Sequence, residues 1–415
     1  MRLRGILLAL LVGAVGCHSF DEVSICESDP QQSVSCPGNP EYCFAEQTRC
    51  NGRVPEHCIG APGRWVADPG CEVACSAAVC VRAVDVVGAE DGACAVFEDG
   101  TVRCWGMNNA GQLGDGTTQM PLAPVAADFL RGARWISMGS GHACAVLSGG
   151  TVSCWGGNES GQLGDGTMVA RLTPRLVQLP SEAVATAVTT DSSCALAKDG
   201  DVYCWGAGGV LGSSENVLVP QSVIGLESSA SKLVAAGRGY CALIGETIEC
   251  WGLDLPDVPT RLGASPVTKV QGSFKSLSAF DHLACGTSTD DKLLCWGANS
   301  VLRWPGSIDQ PYEASAWNGG LSISVGGDHL CGIYDGVVRC AGSNRYGQLC
   351  NGSTTDTTQQ VPVSGLPVIT KVVSAVASNC MLTIDGSVFC CGKTDEGAAG
   401  PNLSGNNLLP TRISF

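Results

Sequence analysis

The sequence predicts an all-β protein: a seven-bladed β-propeller of four-stranded blades, preceded by a small cysteine-rich disulfide module. Three observations predict it. Cysteine pairs recur seven times, with starts 44 to 50 residues apart, a period that belongs to propellers, solenoids and arrays. Each pair brackets a short turn between two alternating apolar stretches, as in Cys94–Cys104, "CAVFEDGTVRC". Each hairpin is preceded by a β-branched stretch ("AVDVVGA", "RWISMGS", "VATAVTT") and followed by a proline-marked one ("APVAADF", "TPRLVQL", "VPQSVIGL"), which makes four short strands per repeat.

The segments follow in chain order. Residues 1–16, "MRLRGILLALLVGAVG", put two arginines before an apolar run too short for a membrane span, and read as a secretory signal. The ending Ala14-Val15-Gly16-Cys17 resembles a bacterial lipoprotein signal. That resemblance implies cleavage before Cys17 and a lipid on its sulfur; the alternative is an ordinary signal peptide with a chance cysteine. His18 follows instead of aspartate, which by the same resemblance favours the outer membrane or cell surface. Residues 17–25 form a tether. An exported chain meets an oxidising compartment, so its 25 cysteines are expected in disulfides before zinc or free thiols.

Residues 26–80 hold eight cysteines (Cys26, Cys36, Cys43, Cys50, Cys58, Cys71, Cys75 and Cys80) among Pro, Gly and polar residues. Such a segment is too poor in large apolar side chains to build its own core, so disulfides are its expected support. Spacing does not choose among the pairings, and Cys71, Cys75 and His57 leave zinc as the lesser alternative.

Residues 81–415 carry the repeats. In "CAVFEDGTVRC" a three-residue loop with Gly100 third pairs Phe97 with Thr101 and sets Cys94 opposite Cys104. In "CALIGETIEC" and "CGIYDGVVRC" the cysteines are one residue closer and the loop shrinks to two residues, so Cys241 faces Cys250 and Cys331 faces Cys340. At a non-hydrogen-bonded pair the Cα atoms are about 4.5 Å apart, within disulfide reach. Cross-strand disulfides are therefore expected here and at Cys144–Cys154, Cys194–Cys204, Cys285–Cys295 and Cys380–Cys390. Isolated two-cysteine sites lack the further ligands a metal needs. Beside the cysteines lie Val96 and Val102 and their equivalents; on the opposite face the next residue is small, as at Ala95, Ala145, Ala195 and Ala242. Both faces are thus expected to be buried between neighbouring sheets. The chain is expected to enter and leave mid-blade, with Pro410–Phe415 pairing beside Ala83–Val87 to close the ring.

The tails "CWGMNNAGQLGDGT" (Cys104–Thr117) and "CWGGNESGQLGDGT" (Cys154–Thr167), with the weaker copy "CAGSNRYGQLCNGS" (Cys340–Ser353), resemble the repeat of the regulator of chromosome condensation family. The resemblance covers residues 81–415 and implies a seven-bladed propeller. The tryptophan is expected to pack on the next blade, and Asn108, Asn158 and Asn344 to bond local backbone. Asp115 and Asp165 in a glycine-rich tail lack the accompanying ligands of a phosphate or calcium loop. Ala341 and Cys391 stand at the tryptophan position of blades six and seven, and Cys350 at a glycine position. Cys350 and Cys391 are the cysteines left without a hairpin mate; a bond between blades six and seven, or two free thiols, are the alternatives.

A net charge of −15, with no Lys/Arg-rich run, argues against a phosphate-backbone partner, so no nucleic acid is expected. No cofactor motif or catalytic signature appears. His142, His282 and His329 all sit just ahead of blade cysteines, which suggests a structural position. The leading expectation is a non-enzymatic scaffold that binds a protein or glycan and touches the membrane through its lipid anchor only. Trp304, Tyr312 and Trp317, in an aromatic stretch outside the repeat, are the candidate contact residues; the alternative is that they patch the core where the standard tail is missing. A hydrolase or an enzyme inhibitor is the second class. The guanine-nucleotide exchange of the best-known family member is the least expected, because the export signal separates the chain from such a partner.

Overall fold

The computed structural model divides the chain into units of residues 1–82 and 83–415. It describes residues 81–127, 130–226, 229–253, 267–297, 301–302, 310–394, 397–400 and 405–415, and the backbone of short strands between residues 18 and 80. In the first unit, Tyr42–Cys43, Thr48–Asn51, Val54–Gly60 and Gly63–Ala67 form a four-stranded antiparallel sheet. The signal, Cys17 and the pairing of the eight cysteines lie outside the described residues.

Residues 83–415 form seven four-stranded antiparallel blades, each a simple meander. Blade one runs from the inner strand Ala83–Gly88 through the hairpin Gly92–Phe97 and Val102–Gly106 to the outer strand Val125–Ala126. The inner strands of successive blades pack side by side around a central channel. Cys94 pairs opposite Cys104 and Cys241 opposite Cys250, so the shorter loop preserves the facing. Asp335 and Gly336 both have positive φ (50° and 77°), as the two-residue turn of blade six requires. Disulfides bridge Cys94–Cys104, Cys144–Cys154, Cys194–Cys204, Cys241–Cys250, Cys285–Cys295, Cys331–Cys340 and Cys380–Cys390, with Cα–Cα distances of 4.0 to 4.2 Å. The second strands are buried on both faces. Their small residues let the neighbouring blade approach: a Cβ at Gly286, the equivalent of Ala95, would come within 2.9 Å of Ile248 Cδ1 of blade four.

One expectation is corrected. The C-terminal strand Asn407–Arg412 pairs with Val388–Gly392 in its own blade and not with Ala83–Val87. The chain therefore enters and leaves at blade boundaries. The free edge of Ala83–Gly88 faces the channel, where an added strand would occupy the space that the seven inner strands enclose. Closure comes from side chains instead: the Phe415 ring packs edge-on against Phe97 and Trp105, at 5.0 and 5.6 Å between centroids, and Lys371 of blade seven pairs with Asp85 of blade one. The outer strand of blade four among the described residues is Thr268–Val270; the proline-marked segment "VPTRLGA" before it, residues 258–264, lies outside the described residues. Val270 sits opposite Ile248 and is buried, which anchors the edge at that later point.

The joints between blades follow from the repeat tail. Trp155 reaches back to blade one, where its Nε1 donates to the Gln112 carbonyl at 2.9 Å; Trp205 does the same to Gln162 at 2.8 Å. Both rings lie over a glycine: an added Cβ at Gly114 would be 2.6 Å from Trp155 Nε1, and one at Gly164 would be 2.7 Å from Trp205 Nε1. Asn108 binds the tail into shape, donating to the Gln119 and Thr117 carbonyls (3.0 and 3.2 Å) and accepting from Leu113 N–H at 3.0 Å. Asn158 makes the same three contacts in blade two, and Asn344 makes two of them in blade six, donating to the Ser353 carbonyl and accepting from Leu349 N–H.

Candidate functional site

A ring of inner strands places equivalent residues around one axis, so a channel is the natural place to look for a site. Its wall is set by strand period: the residue opposite the Val96 position points inward, then every second residue after it. The first such level is Asp85, Trp135, Ala185, Lys232, Ser322 and Lys371, each opposite the Val96 equivalent of its own blade, with Ser276 taking the place in blade five. The next level, which includes Val87, Ser137, Val234, Ser278, Ser324 and Val373, encloses with Trp135, Lys232, Ser322 and Lys371 of the first a cavity of about 330 Å3. Trp135 is fixed by donation from its Nε1 to the Thr186 carbonyl at 2.8 Å, and Ser137 shares a 2.7 Å hydrogen bond with the Thr186 hydroxyl. Lys371 is neutralised by Asp85. Lys232 opens on the channel, and burial together with the charge of Lys371 lowers its pKa.

At the other end the inner strands turn into the second strands, and the channel widens into a rim cavity of about 430 Å3. One backbone position recurs here from six of the seven blades: Glu90, Ser140, Thr190, Gly237, Asp281 and Val376 all line it. Ser140 Oγ donates to Glu90 Oε2 at 2.6 Å, Arg238 pairs with Asp191, and His282 Nε2 lies 3.4 Å from Asp281.

The sequence-derived candidates do not converge on this site. Trp304 lies outside the described residues. Tyr312 is 36% exposed on the outer strand of blade five, remote from the channel lining. Trp317 is 2% exposed and is corrected to a core residue. It packs with Leu330 and Ala341, so an indole from blade five fills the space where blade six has Ala341 in place of tryptophan. Tyr334 donates its hydroxyl to the Trp317 carbonyl at 2.7 Å; burial raises this phenol's pKa to about 12.

Two histidines share a structural position and the third does not. His142 Nε2 lies 2.8 Å from Ser193 Oγ of the next blade, and His329 Nε2 lies 3.1 Å from Asn379 Oδ1. Both are fully buried, and desolvation lowers each pKa to about 4. His282 precedes its cysteine by three residues instead of two, so strand alternation sends it to the exposed rim. Asp165 of the glycine-rich tail is committed locally. Burial works against its ionised form, but hydrogen bonds from Thr167 and Arg171 outweigh that and lower its pKa. Among the described residues no cluster of three or more His, Cys, Asp or Glu side chains could hold a metal ion.

Sequence reasoning missed Lys232 and Lys371. The signal was present as a lysine inside each β-branched inner strand, at the register of Asp85.

Comparison with known proteins agrees with this architecture. Two profiles of the "Regulator of chromosome condensation (RCC1) repeat" match, at residues 99–146 and 136–162. No curated protein matches the chain. The structure of Prp20p from Saccharomyces cerevisiae, described with its binding to Gsp1p and histones, aligns with a TM-score of 0.67 at 19% identity, over 80% of this chain and 88% of that one. Yeast RCC1 (Prp20) bound to Kap60 aligns at 0.66 and 18%, over 81% and 85%. Human WBSCR16 aligns at 0.66 and 16%, over 76% and 95%. At such identities the likeness is one of fold.

Proposed function

We propose that this chain, a propeller built from repeats of the RCC1 type, is a non-enzymatic binding protein, held at a bacterial envelope or cell surface by a lipid on Cys17, that presents the rim of its ring to a partner protein or glycan. The observation that carries the reading is the contrast between frame and rim. The hairpin cysteines and the small residues beside them repeat, whereas the recurring rim position carries Glu90, Ser140, Thr190, Gly237, Asp281 and Val376. A constant scaffold with a varied, solvent-facing edge suits recognition. The similar ring of Prp20p, described as binding Gsp1p and histones, supports a protein partner as the first choice. The eight disulfides of the described ring fit an oxidising compartment. Among the described residues no helix is long and apolar enough to cross a membrane, and the anchor is assigned to Cys17.

The test is capture from envelope extract by the oxidised chain. Wild type and Tyr312→Ala are expected to retain the same partner, and Glu90→Arg with Thr190→Arg to lose it at unchanged melting temperature. Equal capture by the rim variant overturns the assignment. Fractionation tests the anchor separately: Cys17→Ala should move the protein from the membrane to the soluble fraction.

A further inference from the structure

The inward position opposite the Val96 register does not need a cation: blades three, five and six have Ala185, Ser276 and Ser322 there. In blades one and seven the charges cancel, because Lys371 pairs with Asp85. Lys232 alone keeps an unneutralised ammonium. Among the described residues it makes no hydrogen bond or ion pair, and no Asp or Glu lines the cavity it opens on. This is an odd residue to place in the lumen of a chain whose net charge is −15. Lys232 is exposed to the solvent of the lumen, so its charge is tolerated there, and no carboxylate lining the cavity is set against it. The protein packed around it and the charge of Lys371 lower its pKa.

The surroundings limit what would pair with that charge. The indole of Trp135 and the side chains of Val87, Val234 and Val373 give the lumen an apolar wall. One free cation matches one negative charge, and a cavity of about 330 Å3 is at the small end of ligand sites. We propose that the channel is a binding site for a carboxylate with an apolar body, its oxygens on Lys232 Nζ and its hydrocarbon against Trp135 and the valines. The carboxylate comes either as a free small acid or as the C-terminus of an extended peptide. The site is separate from the rim, so failure of partner capture leaves it standing, and its own failure leaves the rim reading standing.

Calorimetric titration of the oxidised full chain tests it, with hexanoate, hexanol and inorganic phosphate as probes, and with acetyl-Leu-Leu against its C-terminal amide. Saturable binding of hexanoate, with hexanol and phosphate at least tenfold weaker, is the expected result, since a charge-assisted contact is worth about a factor of ten or more. Lys232→Met should abolish the preference for hexanoate over hexanol while leaving the melting temperature equal or higher; Lys232→Arg should retain the preference. Binding of acetyl-Leu-Leu but not its amide assigns the peptide source, and hexanoate alone the free acid. No saturation by hexanoate or the peptide, phosphate binding tightest, or unchanged binding in Lys232→Met each overturns the proposal.

Discussion

The joint between blades two and three and the joint between blades six and seven share a backbone and differ in chemistry. In the first, Gly164 lies under the Trp205 indole, and Trp205 Nε1 and Ser193 Oγ both donate to the Gln162 carbonyl at 2.8 Å. In the second, Cys350 takes the glycine position, Cys391 the tryptophan position and Asn379 the serine position. Cys350 and Cys391 are joined in a disulfide, and Asn379 donates to the Gln348 carbonyl in place of the missing indole. Cys350 keeps the left-handed backbone, at φ 55° against 66° for Gly164. Each joint must fill one volume and satisfy one carbonyl. A ring over a glycine does this by packing; two cysteines and an amide do it by a covalent link, and a Cβ in left-handed backbone costs about 1–2 kcal/mol.

The largest expected effect breaks the packed joint. Trp205→Ala should cost about 3–5 kcal/mol, as large cavities do, and the loss should be the same with or without reductant while the hairpin bonds stay intact. Chemical unfolding measures it; a loss below about 1 kcal/mol would mean that the indole is not what holds blades two and three.

Exchange between the joints comes next. Cys391→Trp alone removes a disulfide worth about 2–4 kcal/mol and drives a ring onto the Cys350 side chain. Cys350→Gly with Cys391→Trp recreates the arrangement of Gly164 and Trp205, and is expected to recover most of the loss. A double variant no more stable than Cys391→Trp shows that the two joints are not interchangeable.

Acid weakens both joints alike. His142 and His329 have folded pKa values of about 4, below the ordinary 6.5. Between these values the unfolded chain takes up protons that the folded chain refuses. Stability is therefore full above pH 6.5 and falls as pH drops toward 4, by up to about 3 kcal/mol for each imidazole. Melting temperature against pH should show this slope, and His142→Gln should remove about half of it. The smallest effect lies outside the joints: Tyr312→Ala, on an exposed outer strand, should change stability by less than about 0.5 kcal/mol in the same unfolding assay.

Most of the frame was legible in the sequence because it is local. Loop length and cysteine spacing change together, so the facing of Cys241 and Cys250 follows from ten residues of chain. The repeat tail marks its own turn, since Asn108 bonds atoms no more than eleven residues away. Tertiary structure decided what depends on other blades. Trp317 and Tyr312 are near neighbours in one aromatic stretch, and only the packing of blade five on Ala341 buries the first and leaves the second exposed. Pro410–Arg412 lies in a strand, and its partner was settled by the channel, which has no room for an eighth strand beside Ala83–Gly88. Lys232 and Asp85 occupy the same register in different blades, and ring closure brings Asp85 to Lys371 while Lys232 keeps its charge to the lumen. Period and spacing act over a few residues, so sequence alone determines each blade; the channel is made by seven strands far apart in the chain, so its chemistry exists only once the ring has closed.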